Sequence, residues 1–489
     1  MRAGRAALIL SAAFVLAAAI RAGVGIAEHL AFPYDLWAES AHLDSVRVLE
    51  SGRSLYDPAV YADVPFVLTM YTPLYFEILA ALPWSDAHPF LPGRLLSAGC
   101  LLAACASLFF VARGRPALVV AALAAAIFYL IGPVLVLAAS LRLDPLAVAL
   151  SSWAVVLAQR GRAGVLLAAL LSALAIATKQ SHIAAALAIA IHLALSDRRR
   201  AALFVGTWIG LLLAGAVAAS LAWGRGFWFS TLVAPFNRVA WGQAVDMARL
   251  MLSSPPFVLV ELLTAWTLLR ALARERLGLL RRSPFAVYIL VANLVLVATV
   301  GKLGSSPYYF FEPLLAQLMW LVAELGPEPV RVLSRRGAGL LLGLLLLLAA
   351  HAVASGDAYR DEQSRYRPPG AWADDLYPGL RAGLDAQGIG PLHVLRLGGA
   401  HHGFGRNDVV CMNDIFLYNL LWQAHRLDVA PLQRSVEARA YDLILLPRKV
   451  PMPPPNAPGQ PFVGVLRAVD SGYRLAGTDQ IYQYYLRSG

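Results

Sequence analysis

Residues 113–162 read RGRPALVVAALAAAIFYLIGPVLVLAASLRLDPLAVALSSWAVVLAQRGR. Two apolar runs lie back to back, closed by Arg113 and Arg115 at one end and by Arg160 and Arg162 at the other. The boundary between the runs carries Arg142-Leu143-Asp144-Pro145 instead. A bilayer crossing takes roughly 20 apolar residues, with shorter helices tolerated. Cytoplasmic loops keep an excess of Lys and Arg. The stretch therefore predicts two helices that leave the cytoplasmic side and return to it, with Asp144 at the outer turn.

The same punctuation recurs along the chain. Arg2 and Arg5, then Arg198, Arg199 and Arg200, then Arg274, Arg276, Arg281 and Arg282, then Arg331, Arg335 and Arg336 fall at every second boundary. The pattern predicts about eleven transmembrane helices, near 6–27, 92–112, 116–139, 143–159, 163–178, 181–196, 201–223, 255–273, 284–301, 306–325 and 336–355. The run 64–83 would invert every later arginine cluster if it crossed, so it reads as half-embedded or interfacial. The first apolar run is too long for a signal-peptide core and reads as an uncleaved helix.

Composition agrees with a polytopic α-helical membrane protein. Of 489 residues, 59% are hydrophobic and 15% charged, far from the balance of a soluble domain. The net charge of +11 is spread over short loops without a basic-aromatic platform, which argues against a nucleic-acid partner. The three cysteines form neither a disulfide framework nor a metal-ligand cluster. A transmembrane domain over 1–355, with outer loops at 28–91 and 224–254, precedes an extracytoplasmic domain over 356–489. Short apolar strands at 393–397, 441–446 and 481–486, with helices near 372–387 and 413–426, make that tail a small soluble α/β unit. Its loop 398–405, with His401 and His402, reads as a flexible surface loop.

The unusual polar residues collect on the outer side. In the first loop, residues 39–51 read as an amphipathic helix stopped by Gly52, lying on the membrane with Glu39 and Asp44 near the headgroups. Asp35, Glu39 and Asp44 are carboxylates that could act as a general base on a hydroxyl. They could also hold a divalent cation against a phosphate, the one cofactor the pattern leaves open. Solvated loop acids would look the same. Asp144 before a proline also suits a helix cap. Lys179, in Thr178-Lys179-Gln180, has no other lysine or arginine within 15 residues. A lone lysine at a span end either snorkels or meets an anion such as phosphate. The aromatic loop 224–254 either anchors in the interface or stacks on a sugar or lipid.

Taken in order, the acidic loop ending at Gly52, Tyr71-Thr72-Pro73-Leu74-Tyr75, Arg142-Leu143-Asp144-Pro145 and Thr178-Lys179-Gln180 resemble the GT-C glycosyltransferases. Their order is similar to that of the lipid A aminoarabinose transferase and the protein O-mannosyltransferases. The resemblance covers roughly residues 6–325. It implies a polyprenyl-phosphate sugar donor, a lipid, glycan or protein acceptor, and inverting transfer at the outer face of the bacterial cytoplasmic membrane. It places the base at Glu39, with Asp35 and Asp44 open because Ala38-Glu39 stands where the family shows Asp-Glu. It matches Asp144 to an aspartate before proline and gives Lys179, with Arg142 and Gln180, to the donor phosphate. Tyr71, Tyr75, Tyr308, Tyr309 and Glu312 fall to substrate contact. A transporter or flippase of a lipid-linked or envelope component is the rival class. It would favour mid-span charges and internal repeats, which this sequence lacks.

The topology makes a direct prediction. Cysteines placed at Arg53 and Arg434 should react with an impermeant thiol reagent on intact cells. Labelling of either site only after permeabilisation would overturn the charge-based orientation.

Overall fold

A computed structural model describes residues 2–31, 39–85, 88–236, 238–326, 348, 376–397, 408–447, 462–479 and 482–488. Asp35, the expected span 336–355 apart from residue 348, the domain boundary near 356 and the loop 398–405 lie outside the described residues.

Helix α1 (Arg2–Ala31) is followed by α2 (Glu39–Glu50), α3 (Pro58–Ala62) and α4 (Leu74–Ala80). Then come α5 (Leu91–Val111), α6 (Arg115–Leu130), α7 (Gly132–Ala138), α8 (Asp144–Leu157), α9 (Gly161–Thr178) and α10 (Ala184–Ser196). The membrane unit continues through α11 (Arg198–Trp228), α12 (Trp241–Leu252), α13 (Pro255–Glu275), α14 (Gly278–Arg282), α15 (Pro284–Thr299) and α16 (Phe311–Leu325). Each of the first ten expected spans coincides with one or two of these helices. Only five are long and apolar enough to cross a membrane on those grounds alone, namely Ile9–Leu30, Leu91–Val111, Gly161–Thr178, Arg198–Val233 and Pro255–Glu275. Four shorter apolar helices accompany them among the described residues, so the expected count of eleven crossings is not confirmed. The outward faces of α1, α11, α13 and α15 carry exposed Ile20, Leu213, Leu221, Leu262 and Leu294, as a lipid-facing surface requires.

The segment 64–83 contains one helix, the seven-residue α4, too short to cross, as its reading as a non-crossing segment expects. Two other readings need correction. The expected loop 224–254 is largely helical. Gly224 turns the chain at φ 57° within α11, a π-helical segment follows over Phe229–Val233, and α12 comes next. Most important, α2 does not lie on a membrane surface. Its residues from Glu39 to Val46 are buried or nearly so, as is Val48. The reason is that Glu39 at its start and Asp44 near its middle both find arginines inside the protein.

The C-terminal unit is a five-stranded mixed sheet in the order β2-β1-β3-β5-β4. Strand β1 (His393–Arg396) runs parallel to β2 (Val409–Cys411) and to β3 (Leu443–Pro447). Strands β4 (Tyr473–Thr478) and β5 (Tyr482–Arg487) close the edge antiparallel. The three expected strands are β1, β3 and β5. The expected helix at 413–426 is Ile415–Gln423, capped by the Asp414 side chain, which accepts from Leu417 N–H at 3.0 Å. Asn413 does different work: its amide accepts from Leu68 N–H and donates to Leu68 O, both at 2.9 Å.

That contact belongs to a broad seam. Phe66, Leu68 and Tyr61 of the first loop pack in one apolar cluster with Leu397, Met412, Leu417 and Tyr418 of the C-terminal unit. Met412 N–H donates to Pro65 O at 2.9 Å, and Tyr418 Oη donates to Tyr61 O at 2.9 Å. At its centre Arg396 Nη2 donates to Asp44 Oδ2 at 2.7 Å, with both side chains buried. Burial pushes the Asp44 carboxyl above its usual range, against the opposing pull of Arg396 and Arg47.

Breaking one side of a buried pair strands a charge and costs about 3–5 kcal/mol, whereas replacing both partners with apolar groups is often neutral. Asp44→Leu should therefore lower the thermal midpoint of the detergent-solubilised protein strongly, and Asp44→Leu with Arg396→Met should recover most of it. Additive losses in the double variant would remove this pair from the seam's energetics.

Candidate active site

Four helix ends meet on one side of the bundle. Asp144 is the first residue of α8, and its neighbour Pro145 is preset for a helical first turn. The cap expected of Asp144 is absent, because Leu143 occupies the capping position and makes no side-chain cap. The carboxylate is spent elsewhere. Lys179, at the C-terminal cap of α9, donates from Nζ to Asp144 Oδ1 at 2.7 Å. An acid in a first turn and a base at a last turn both complement the helix dipoles, so local helix electrostatics favour this placement.

His182, in the turn before α10, stands between two acids. Its Nε2 lies 3.6 Å from Asp144 Oδ1 and its Nδ1 lies 3.0 Å from Glu312 Oε2. Glu312, in the first turn of α16, also accepts from Ala185 N–H at 3.2 Å and from Tyr288 Oη at 3.1 Å. Burial pulls the His182 pKa down, but hydrogen bonding to Asp144 and Glu312 outweighs it and holds the imidazole above its ordinary value. Asp144, Lys179, His182, Tyr308, Tyr309 and Glu312 line one cleft, whose apolar wall is α15.

The cations there are framed by aromatic faces. Lys179 Nζ lies 4.4 Å from the ring centre of Tyr308, 4.8 Å from that of Tyr309 and 5.6 Å from that of Tyr71. The two tyrosines come from the 3-10 turn Pro307–Phe310, and their rings stack at 5.4 Å. Arg142 Cζ sits 5.6 Å from the Tyr308 ring centre, and its buried Nε has no hydrogen-bond partner. No carboxylate among the described residues pairs with Arg142. Lys302, in the loop after α15, has its pKa lowered by burial and by the charge of Lys179. Three cations thus share a region in which Asp144 answers only Lys179 directly. That arrangement attracts a multiply charged anion.

The expected site residues divide accordingly. Asp144, Arg142, Lys179, Tyr71, Tyr308, Tyr309 and Glu312 come together. Gln180 belongs to the frame: its Nε2 donates to Met70 O at 2.7 Å and Thr231 O at 2.9 Å, so its amide N–H groups are used in holding the loop. With Thr72 Oγ1 donating to Ile176 O at 2.8 Å, it lays the segment before α4 across the site and brings Tyr71 over Lys179. Tyr75 is fully buried in the apolar cluster beneath α2. Asp44 faces the C-terminal unit, and Glu39 is enclosed. Arg94 grips Glu39 through Nε to Oε1 at 3.0 Å and Nη2 to Oε2 at 2.6 Å, while Leu141 N–H donates to Oε1 at 2.6 Å. Both Glu39 oxygens are therefore occupied, which suits a structural anchor better than a proton acceptor. Among the described residues no group of acids, histidines and cysteines is arranged to hold a metal ion.

Sequence reasoning passed over His182, Lys302 and His42. The first two had a usable signal, since an ionisable residue between or at the end of apolar spans marks a functional site. His42 was hidden in an apparently ordinary amphipathic pattern.

Helices ending together around a basic and aromatic cleft, with a mixed sheet docked beside it, define a polytopic membrane protein with a cationic cleft at one side. In fold it is similar to a lipid-handling transferase. The crystal structure of ArnT from Cupriavidus metallidurans bound to undecaprenyl phosphate matches with a TM-score of 0.59 and 14% identity, over 97% of either chain. The apo structure of the same protein matches with a TM-score of 0.58 and 14% identity, over 98% of either chain. No protein-family model and no curated protein sequence matches this chain. The GT-C resemblance of the outer motifs is thus met by an ArnT-like fold along nearly the whole length.

The Glu39 geometry generates a test. Glu39→Gln leaves the Arg94 guanidinium without its anion, so stability should fall by about 3–5 kcal/mol. The surface pair of Asp246 and Arg249, at 68% and 78% side-chain exposure, serves as a control, and Asp246→Asn should leave the melting midpoint unchanged. Equal midpoints for Glu39→Gln and the unmodified protein would show that Glu39 is not a structural anchor.

Proposed function

We propose that this chain is a GT-C type membrane glycosyltransferase. It moves a sugar from a polyprenyl-phosphate donor to a lipid, glycan or protein acceptor at the outer face of the bacterial cytoplasmic membrane, with inversion. The observation that carries the reading is the meeting of Lys179 and Arg142 at Tyr308, with Tyr309 also over Lys179 and Lys302 close enough for its charge to act on Lys179, in a fold like that of a protein solved with undecaprenyl phosphate.

The chemistry follows from charge. As the acceptor oxygen attacks the anomeric carbon, the phosphate diester of the donor becomes a monoester and gains a negative charge. Cations fixed before the reaction stabilise that charge without reorganising. Arg142 is best suited, because no carboxylate of the described residues neutralises it. Lys179 adds a second positive charge whose position Asp144 fixes. Tyr71, Tyr308 and Tyr309 offer faces on which a sugar or an isoprenoid unit can pack. The membrane delivers the donor laterally to the helix ends. The domain over 356–489 sits on the same side in this reading, since its Arg396 reaches α2. Charges gathered at helix ends, rather than along a central pathway, support an enzyme over a transporter.

Undecaprenyl phosphate binding to purified protein in detergent tests the proposal. Losing one charge-assisted contact costs on the order of 1.5–3 kcal/mol, roughly 10- to 100-fold in affinity. Lys179→Gln should show a loss of that size and Lys179→Arg a smaller one. Arg142→Gln should show the same loss without a stability penalty, because it strands no carboxylate. Unchanged affinity in both Lys179→Gln and Arg142→Gln would end the phosphate assignment.

A further inference from the structure

The glycosyltransferase reading requires a group that accepts the proton of the acceptor hydroxyl, and the two described first-loop carboxylates considered for it, Glu39 and Asp44, are engaged elsewhere. Glu39 is saturated by Arg94 and Leu141 N–H. Asp44 is paired with Arg396. It stands two residues from His42, about 200° around a helix of 3.6 residues per turn, so the two project from opposite faces of α2.

His42 is only 6% exposed, and its Nε2 has no hydrogen-bond partner. Its ring is held edge-on to Tyr71 at 5.7 Å and to Tyr75 at 6.5 Å, with Phe76 at 5.9 Å. Tyr71 is the ring that also faces Lys179 Nζ at 5.6 Å, so His42 stands one aromatic layer from the phosphate-attracting cations. A buried polar nitrogen left without a partner costs free energy unless something fills it. A substrate hydroxyl donating to Nε2 would do so.

We propose, on the strength of that reading, that His42 is the general base of the transfer. The acceptor O–H bond breaks and its proton goes to His42 Nε2. The acceptor oxygen forms its bond to the anomeric carbon, and the bond from that carbon to the phosphate oxygen breaks, its electron pair leaving with polyprenyl phosphate. The balance of charge favours this pairing. His42 gains one positive charge while the leaving phosphate gains one negative charge, so the net charge of the site is unchanged through the step.

The free protein holds the base in its usable form. Burial keeps the His42 imidazole neutral, and the positive charges of Arg142 and Lys179 reinforce this against the opposing pull of Asp144. A bound phosphate offsets those two cations and makes the imidazolium admissible. The product complex is then a protonated His42 beside a phosphate monoester. By reversibility, the complex competent for the reverse step carries that proton, and the offset of Arg142 and Lys179 by the phosphate favours its uptake when the product binds from solution.

The experiment is calorimetric binding of undecaprenyl phosphate alone to the full chain in detergent. It is run between pH 5.5 and 8 in buffers of different protonation enthalpy, for the unmodified protein, His42→Gln and His42→Asn. Proton uptake on binding means affinity rises as pH falls, by up to about tenfold per pH unit for each proton taken up. The unmodified protein should take up close to one proton more than either variant. The charged and titratable groups facing His42, namely Arg142, Asp144, Lys179, Tyr71 and Tyr75, are common to all three proteins. So is the lipid phosphate itself, and all of these cancel in the difference. A histidine with only a packing role would change affinity without changing the proton count. Equal proton uptake in the unmodified protein and in whichever variant folds would overturn the assignment of His42 alone. Failure of the unmodified protein to bind undecaprenyl phosphate would overturn the glycosyltransferase reading, and the base with it.

Discussion

The contact between Lys179 and Asp144 carries more of this structure than its single 2.7 Å bond suggests. Neither charge has water to fall back on, and an unpaired ion in such a place costs several kcal/mol. The pair therefore fixes the C-terminal end of α9 against the N-terminal end of α8. From Asp144 the constraint passes through His182 to Glu312, and from Glu312 to Tyr288 and Ala185. One chain of polar contacts thus ties α8, α9, α10, α15 and α16 at a common level. A half-satisfied network would be worse than an apolar core. The register of these helices along their axes is fixed by this requirement together with the buried core they share.

The same constraint explains why the cleft is basic. Lys179 and Arg142 are fixed positive charges close to Asp144, with Glu312 one residue beyond. Lys302, whose charge acts on Lys179, adds a third positive charge. The local excess is positive, and a monovalent or divalent anion removes it. Aromatic rings over the cations supply partial compensation in the absence of such an anion. Tyrosines suit that position because each ring faces the cation while its hydroxyl can find a polar partner at the edge.

How much of this could be read in the chain depends on the range of the interaction. The arginines at alternate boundaries act locally, through the side on which each loop stays, and they placed ten helices close to where they lie. Strands β1, β3 and β5 were legible because their apolar runs are buried in the small sheet. Strands β2 and β4 were not, being short or exposed along much of their length. The partners of the first-loop acids were illegible in principle. Arg94 follows Glu39 by 55 residues and Arg396 follows Asp44 by 352, and no periodicity links such positions. An acid destined for a buried arginine and an acid destined for solvent look alike in one sequence. Hence α2 read as a surface helix, and Glu39 stood out as the foremost base because its buried partner could not be seen. Gly224 misled in the same way: it read as a loop start, but here its positive φ only bends α11, and the helix resumes beyond it.

Helix α2 is where these strands of argument meet. It presents Glu39 to α5, His42 to the tyrosines over the cleft and Asp44 to the C-terminal sheet. Two of those three contacts are ion pairs buried from water, and the third is an imidazole packed among rings. A helix of 12 residues has little cooperative stability of its own, so these partners, rather than helix propensity, hold it in place. The docking of the C-terminal unit therefore acts on the site through a rigid link. Arg396 fixes the rotation of α2 about its axis from one side and Arg94 from another, and the direction in which His42 points follows from both. A tail domain attached only by a flexible linker could exert no such control. The buried pair between residues 352 positions apart makes the sheet a structural part of the cleft, even though none of its side chains lines it.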